Sequence, residues 1–253
     1  MSHSDRQNEE KNSEGFIPSS QWGFNRQFFS EEIEANILDI QKKVAPCKPK
    51  IIAVTKYYGI DAIEKAYEAG IRDFGESRVI EASDKISHLS EEVRRNSKFH
   101  FIGHLQTNKA AKAVNNFDCI QSVDSLKLAE TISRVACSLN KRESVLIQVN
   151  NAGEEQKTGY SVTKVREEFP TLLSLEGIEI LGLMCMAPVE ATEDKLHELF
   201  SGLRKLRDEL EIEYNCKLPE LSMGMSNDYV IAAKEGATML RIGRKLFSNS
   251  HNN

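Results

Sequence analysis

Short apolar runs alternate with helical stripes from residue 51 to residue 242, and this alternation limits the fold more than any other feature of the chain. The runs at 51–54, 71–74, 99–102, 118–122, 145–149, 178–184, 218–221 and 238–242 are rich in Ile, Val, Leu and Phe, and they read as buried strands of a parallel sheet. Helical patterns are predicted between them over 61–69, from 77, from 107, and over 125–139, 163–175, 192–214 and 228–234. The stripe of Leu196, Leu199, Phe200, Leu203, Leu206 and Leu210 is the clearest. One more amphipathic segment, 31–44, precedes the first strand with Ile33, Ile37, Ile40 and Val44 on one face. Eight strand–helix steps in 253 residues point to a closed α/β barrel, a single (β/α)8 TIM barrel, rather than an open sheet. The expected organisation is one domain over 30–248, a polar and disordered extension over 1–29, and a short tail at 249–253.

Charge and cysteine usage narrow the function classes. A net charge of −5 argues against a nucleic-acid footprint, because neutralising phosphates needs a basic face. Five scattered cysteines without a Cys-x-x-Cys pair fit a reducing, cytoplasmic setting and give no zinc signature, so no metal is expected. No apolar stretch has the length of a membrane span, and no membrane role is expected.

Three segments carry chemistry. Lys56 stands at the tip of the first predicted strand, where crowding would favour a neutral, nucleophilic amine able to form a Schiff base; a strand-end lysine reaching solvent is the plainer alternative. After the seventh strand, Ser222-Met223-Gly224-Met225-Ser226-Asn227-Asp228 offers hydroxyls and a glycine to an anion, although Ser226 or Asn227 could equally cap the helix that follows. After the eighth, Arg241-Ile242-Gly243 offers a guanidinium and a close backbone approach. In such barrels phosphate is commonly held by the loops after strands seven and eight. An aldehyde to trap, a phosphate to hold and a ring acceptor for Arg241 together describe pyridoxal 5′-phosphate (PLP).

The segments Ala53-Val54-Thr55-Lys56, Phe74-Gly75-Glu76-Ser77-Arg78-Val79, Phe99-His100-Phe101-Ile102-Gly103-His104-Leu105-Gln106, Leu221-Ser222-Met223-Gly224-Met225-Ser226 and Arg241-Ile242-Gly243 closely resemble the pyridoxal phosphate homeostasis protein family. The resemblance spans about Asn36 to Phe247. It implies a fold-type III PLP barrel similar to the N-terminal domain of alanine racemase, with Lys56 holding PLP as an internal aldimine. It places Ser222 and the backbone around Gly243 at the phosphate, with Met223, Ser226 and Ile242 beside them, and Arg241 at the pyridine nitrogen. Ser77 and His104 are pocket candidates. The implied role is non-catalytic, in vitamin B6 and amino/keto-acid homeostasis. PLP-dependent apo-enzymes are candidate recipients, and a monomer is expected because no adjoining domain is evident to build a dimer site. An arginine keeps its proton and so leaves the ring nitrogen unprotonated, a weak electron sink that suits holding the cofactor.

The sequence also departs from the family pattern. Ser77 stands where asparagine is common, Tyr57-Tyr58-Gly59 replaces the usual turn after the lysine, Arg244 replaces a small hydroxyl residue, and Ser248 replaces a glycine. Two other chemistries use the same residues: a fold-type III enzyme such as an amino-acid racemase, and a Schiff-base aldolase acting on a phosphorylated sugar. The racemase is disfavoured because no second domain is evident to supply an opposing acid–base residue. His100 reads as a satisfied structural histidine, Met184, Cys185 and Met186 as barrel packing, and Lys157-Thr158-Gly159 does not match a phosphate-binding loop. Asp73 and Glu76, three apart on a strand, should face opposite sides.

Overall fold

A computed structural model describes residues 27–153 and 158–248. Eight parallel strands close into one barrel in sequence order: β1 (Lys50–Val54), β2 (Asp73–Glu76), β3 (Lys98–Phe101), β4 (Cys119–Val123), β5 (Glu143–Gln148), β6 (Ile178–Met184), β7 (Glu220–Ser222) and β8 (Met239–Ile242). The helices are α1 (Ser30–Val44), α2 (Ile60–Glu68), α3 (Val79–His88), α4 (Glu91–Arg95), α5 (Ala110–Asn116), α6 (Leu126–Ser138), α7 (Val162–Leu173), α8 (Glu193–Tyr214) and α9 (Tyr229–Lys234). The expected (β/α)8 architecture is the one observed. None of the described helices is long and apolar enough to cross a membrane.

Two strands begin two residues later than the sequence reading, each for a local reason. The second strand begins at Asp73 rather than 71, because Gly70 turns left-handed (φ 95°) and the Ile71 N–H closes the end of α2 on the Ala66 carbonyl at 2.9 Å. The seventh begins at Glu220 rather than 218, because α8 takes the Leu218 backbone: its N–H donates to Glu211 Oε1 at 2.6 Å and its carbonyl accepts from Arg207 at 3.1 Å.

Strand side chains alternate between two apolar compartments. Ile52, Cys119, Leu146, Met184 and Met239 meet inside the barrel. Their neighbours Ile51, Ala53, Ile120, Leu183, Leu240 and Ile242 face outward and pack under the helices. At about 25 cal/mol per Å² of apolar surface removed from water, this outer layer is the main driving force for the fold.

The helix preceding β1 fills the gap left after β8. It packs against both α2 and α9. Asn36 Nδ2 donates to the carbonyls of Leu246 (3.0 Å) and Ser248 (2.9 Å), and Lys245 pairs with Asp39 at 3.0 Å. Phe28, which the sequence reading assigned to the extension, is buried and packs edge-on against Tyr58 and Phe247. The rest of that extension (1–26), the tail at 249–253 and Lys157 lie outside the described residues.

Candidate functional site at the C-terminal mouth of the barrel

The inward parity of the strands continues past their ends and builds one cleft. Lys50, Ile52, Val54 and Lys56 share a face of β1, and Val54 and Lys56 line the cleft wall. Ile102 follows the inward His100, Met186 follows the inward Met184, and Gly243 follows Arg241; all of these but His100 and Met184 line the same space. The cleft has a volume of about 570 Å³ and is completed by Tyr57, Tyr58, the 187–189 segment after β6, and Met225, Ser226, Asn227 and Asp228 after β7.

Lys56 is half-buried, and its Nζ lies 4.9 Å from the centroid of the Tyr57 ring. It is less crowded than its position at a strand tip suggested. What is fixed is the turn that carries it. The fully buried Lys85 of α3 donates to the carbonyls of Thr55 (3.0 Å) and Tyr58 (3.2 Å), on either side of Lys56, and pairs with Glu76 of β2. The Thr55 hydroxyl donates to the same Glu76 oxygen at 2.7 Å. Asp73 and Glu76 face opposite sides of β2 as expected, with Asp73 bonded to the interior His100 and Glu76 bonded to Lys85 under the helices.

On the opposite wall, Gly224 at φ 90° bends the chain after β7; a Cβ there would sit 2.5 Å from the Ala232 methyl. Asp228 is the N-cap residue before α9, so neither Ser226 nor Asn227 caps the helix, and the Asp228 Oδ1 accepts from the Met225 N–H. Burial pushes the Asp228 carboxyl up, against the Met225 hydrogen bond and the Arg241 charge. Ser226 Oγ accepts from the Lys245 N–H at 3.3 Å, which leaves its own hydrogen to donate. Arg244 adds a second guanidinium to the lining.

Arg241 is buried and held at two points. Nη1 donates to Ser222 Oγ and Nη2 to the Cys185 carbonyl, both at 2.7 Å. The Ser222 side chain does not line the cleft. Its hydroxyl is fully buried beneath the cleft, accepting from Arg241 and donating to Gln121 Oε1 at 2.6 Å, and so it is spent inside the barrel. Met223 and Ile242 do not line the cleft either: one residue past an inward position, they face the outer core, and the Met223 N–H is used on the Met239 carbonyl. Ser77 lies beside Gly103 rather than on the cleft wall, and His104 is exposed and bonded to Asp124 at 3.1 Å. Lys56, Ser226, Arg241 and Gly243 are the predicted residues that the cleft brings together. Val54, Ile102 and Met186 were missed, although strand parity would have found them. Among the described residues, no cluster of His, Cys, Asp and Glu could hold a metal ion.

The alanine racemase N-terminal domain model matches residues 30–250. The pyridoxal phosphate homeostasis protein of Synechocystis sp. is 41% identical over 204 residues, 81% of this chain and 93% of that one. Its counterpart in Aquifex aeolicus is 39% identical over 198 residues, 78% of this chain and 86% of that one. The chain belongs to the pyridoxal phosphate homeostasis protein family. Among solved structures, PipY of Synechococcus elongatus with PLP bound superposes with a TM-score of 0.78 at 38% identity, covering 85% of this chain and all of that one. The alanine racemase of Clostridium difficile shares the barrel alone, with a TM-score of 0.69 at 16% identity over 59% of its length.

Proposed function

We propose that this member of the pyridoxal phosphate homeostasis family binds PLP in the cleft and serves as a non-catalytic holder of the cofactor in vitamin B6 and amino/keto-acid balance. The observation that carries the reading is the donor set of the cleft: a primary amine, a hydroxyl, an amide and two guanidinium groups around one cavity. When bound, PLP brings an aldehyde that condenses with an amine, a phosphate dianion and a pyridine nitrogen, and each has a chemical counterpart in that set.

Lys56 is the covalent attachment point, and Lys85 and Glu76 hold its turn in place. The Ser226 hydroxyl, the Asn227 amide and the backbone at Gly243 receive the phosphate. Arg244 supplies a charged donor at the cleft wall, and a guanidinium suits a phosphate dianion. Arg241 donates to the ring nitrogen and keeps its own proton, which holds the ring in its weaker electron-withdrawing form. Apolar walls from Val54, Ile102 and Met186 exclude water from the ring. We place the protein in the cytoplasm as a monomer and PLP-dependent apo-enzymes among its recipients. Five scattered cysteines and the fit of the cleft within one chain support that placement.

An absorbance scan of the purified protein with PLP, followed by incubation with L-amino acids and chiral chromatography, tests this function. A stable Schiff-base band without turnover is expected. Substantial racemisation would replace the holder with an enzyme, and absence of the band would return the lysine to the aldolase reading.

A further inference from the structure

A line of hydrogen bonds runs through the barrel interior from the cleft to the opposite face. Arg241 donates to Ser222 Oγ (2.7 Å), Ser222 to Gln121 Oε1 (2.6 Å), Gln121 Nε2 meets His100 Nδ1 (3.1 Å), and His100 Nε2 meets Asp73 Oδ1 (2.9 Å). At the far end, Lys50 lies 3.8 Å from Asp73 and 3.9 Å from Glu220. Arg241, Ser222, Gln121 and His100 are all buried. Four different strands contribute these side chains, and each occupies an inward position that an apolar residue could fill.

Donor and acceptor counting gives the line a direction. Arginine only donates, so Ser222 Oγ accepts from it and must send its single hydrogen elsewhere; Gln121 Oε1 is the acceptor in reach. With its oxygen so used, Gln121 presents its NH₂ to His100. His100 Nδ1 therefore accepts, and its proton sits on Nε2, which donates to Asp73. Turning the Gln121 amide over would give Ser222 two donors and no acceptor, and would force a second proton onto His100. Only one arrangement satisfies every buried group with a neutral imidazole.

We propose that Gln121 and His100 are positioning residues for Arg241, fixing through Ser222 the guanidinium that meets the cofactor ring. The proposal deepens the reading of the cleft as a PLP site and rests on it only where the ring is concerned. With Nη1 and Nη2 each holding a fixed acceptor, the guanidinium plane is set before any ligand arrives. Cutting the line at Gln121 lets Ser222 rotate and leaves the Cys185 carbonyl as the one fixed acceptor on Arg241.

The test has two arms. In the first, nitrogen-15 NMR of the cofactor-free full-length protein, labelled at histidine, reads the His100 tautomer, assigned by its loss in His100→Asn. A neutral ring protonated at Nε2 is expected; protonation at Nδ1, or an imidazolium at neutral pH, overturns the direction of the line. In the second, PLP-loaded Gln121→Leu and Ser222→Ala should each release PLP about tenfold faster, as expected for one lost buried hydrogen bond. Their absorption should shift while the Lys56 adduct is retained. Gln121→Glu, which can still accept from Ser222, should restore slow release. Folded variants with unchanged spectrum and release overturn the positioning role. A wild-type protein that forms no Lys56 adduct would instead remove the PLP reading, and the NMR arm would still decide the line.

Discussion

Lys85 contributes at the site without touching the cleft. Its buried ammonium joins a carboxylate and two carbonyls that bracket Lys56, so one side chain orders the turn that presents the amine. Removing one partner of such a pair leaves the other charge buried, at a cost of about 3–5 kcal/mol. Lys85→Met is therefore expected to lower the urea midpoint strongly, whereas a loss below about 1 kcal/mol would mean the pair is exposed to water in solution. Asp73 gives a pH prediction. Burial raises its carboxyl, but the His100 hydrogen bond and the Lys50 and Lys98 charges outweigh that and hold it below its ordinary 3.8. A carboxyl lowered on folding stabilises above its unfolded value and loses that contribution as pH falls through the folded one. The stability gap between wild type and Asp73→Asn should be level above pH 3.8 and shrink below it. A gap that persists far into acid would contradict this.

Among the elements, the loop from β7 to α9 has a strict backbone requirement. Gly224→Ala must place a methyl 2.5 Å from Ala232 in a left-handed conformation, at a cost of about 1–3 kcal/mol. We expect a lower melting temperature and weaker PLP retention together; retention lost without any loss of stability would point to direct contact instead. Most of the elements were legible in the sequence, because apolar runs closed by glycine and leucine stripes are local signals. Lys56, Ser226, Arg241 and Gly243 were legible as well, since each lies at or just past a strand end. Ser222 points inward beneath the cleft, whereas Met223 and Ile242 face outward because consecutive strand residues face opposite sides; nearness in sequence does not separate these cases. Gln121 gave no signal: a lone glutamine in an apolar strand has meaning only once His100 and Ser222 are seen on either side of it.

At the scale of the whole molecule, the barrel is closed by its own beginning. The α1 helix occupies the position after β8, and Asn36 joins it to the last turn through two hydrogen bonds. Asn36→Ala should cost about 1–3 kcal/mol, since two carbonyls lose their donor at once. Hydrogen exchange should then rise at 244–248 before it rises in the strands, and a uniform rise would show that the seam carries no separate stability. Cofactor binding by this barrel requires distant segments to meet at one mouth, where Lys56 supplies the amine and the β7 and β8 loops hold the rest of the ligand. Mass spectrometry of the native protein, loaded with PLP and reduced with borohydride, measures this most directly. A single adduct on Lys56 that disappears in a folded Lys56→Ala variant is expected; no adduct, or one on another lysine, would contradict attachment at Lys56.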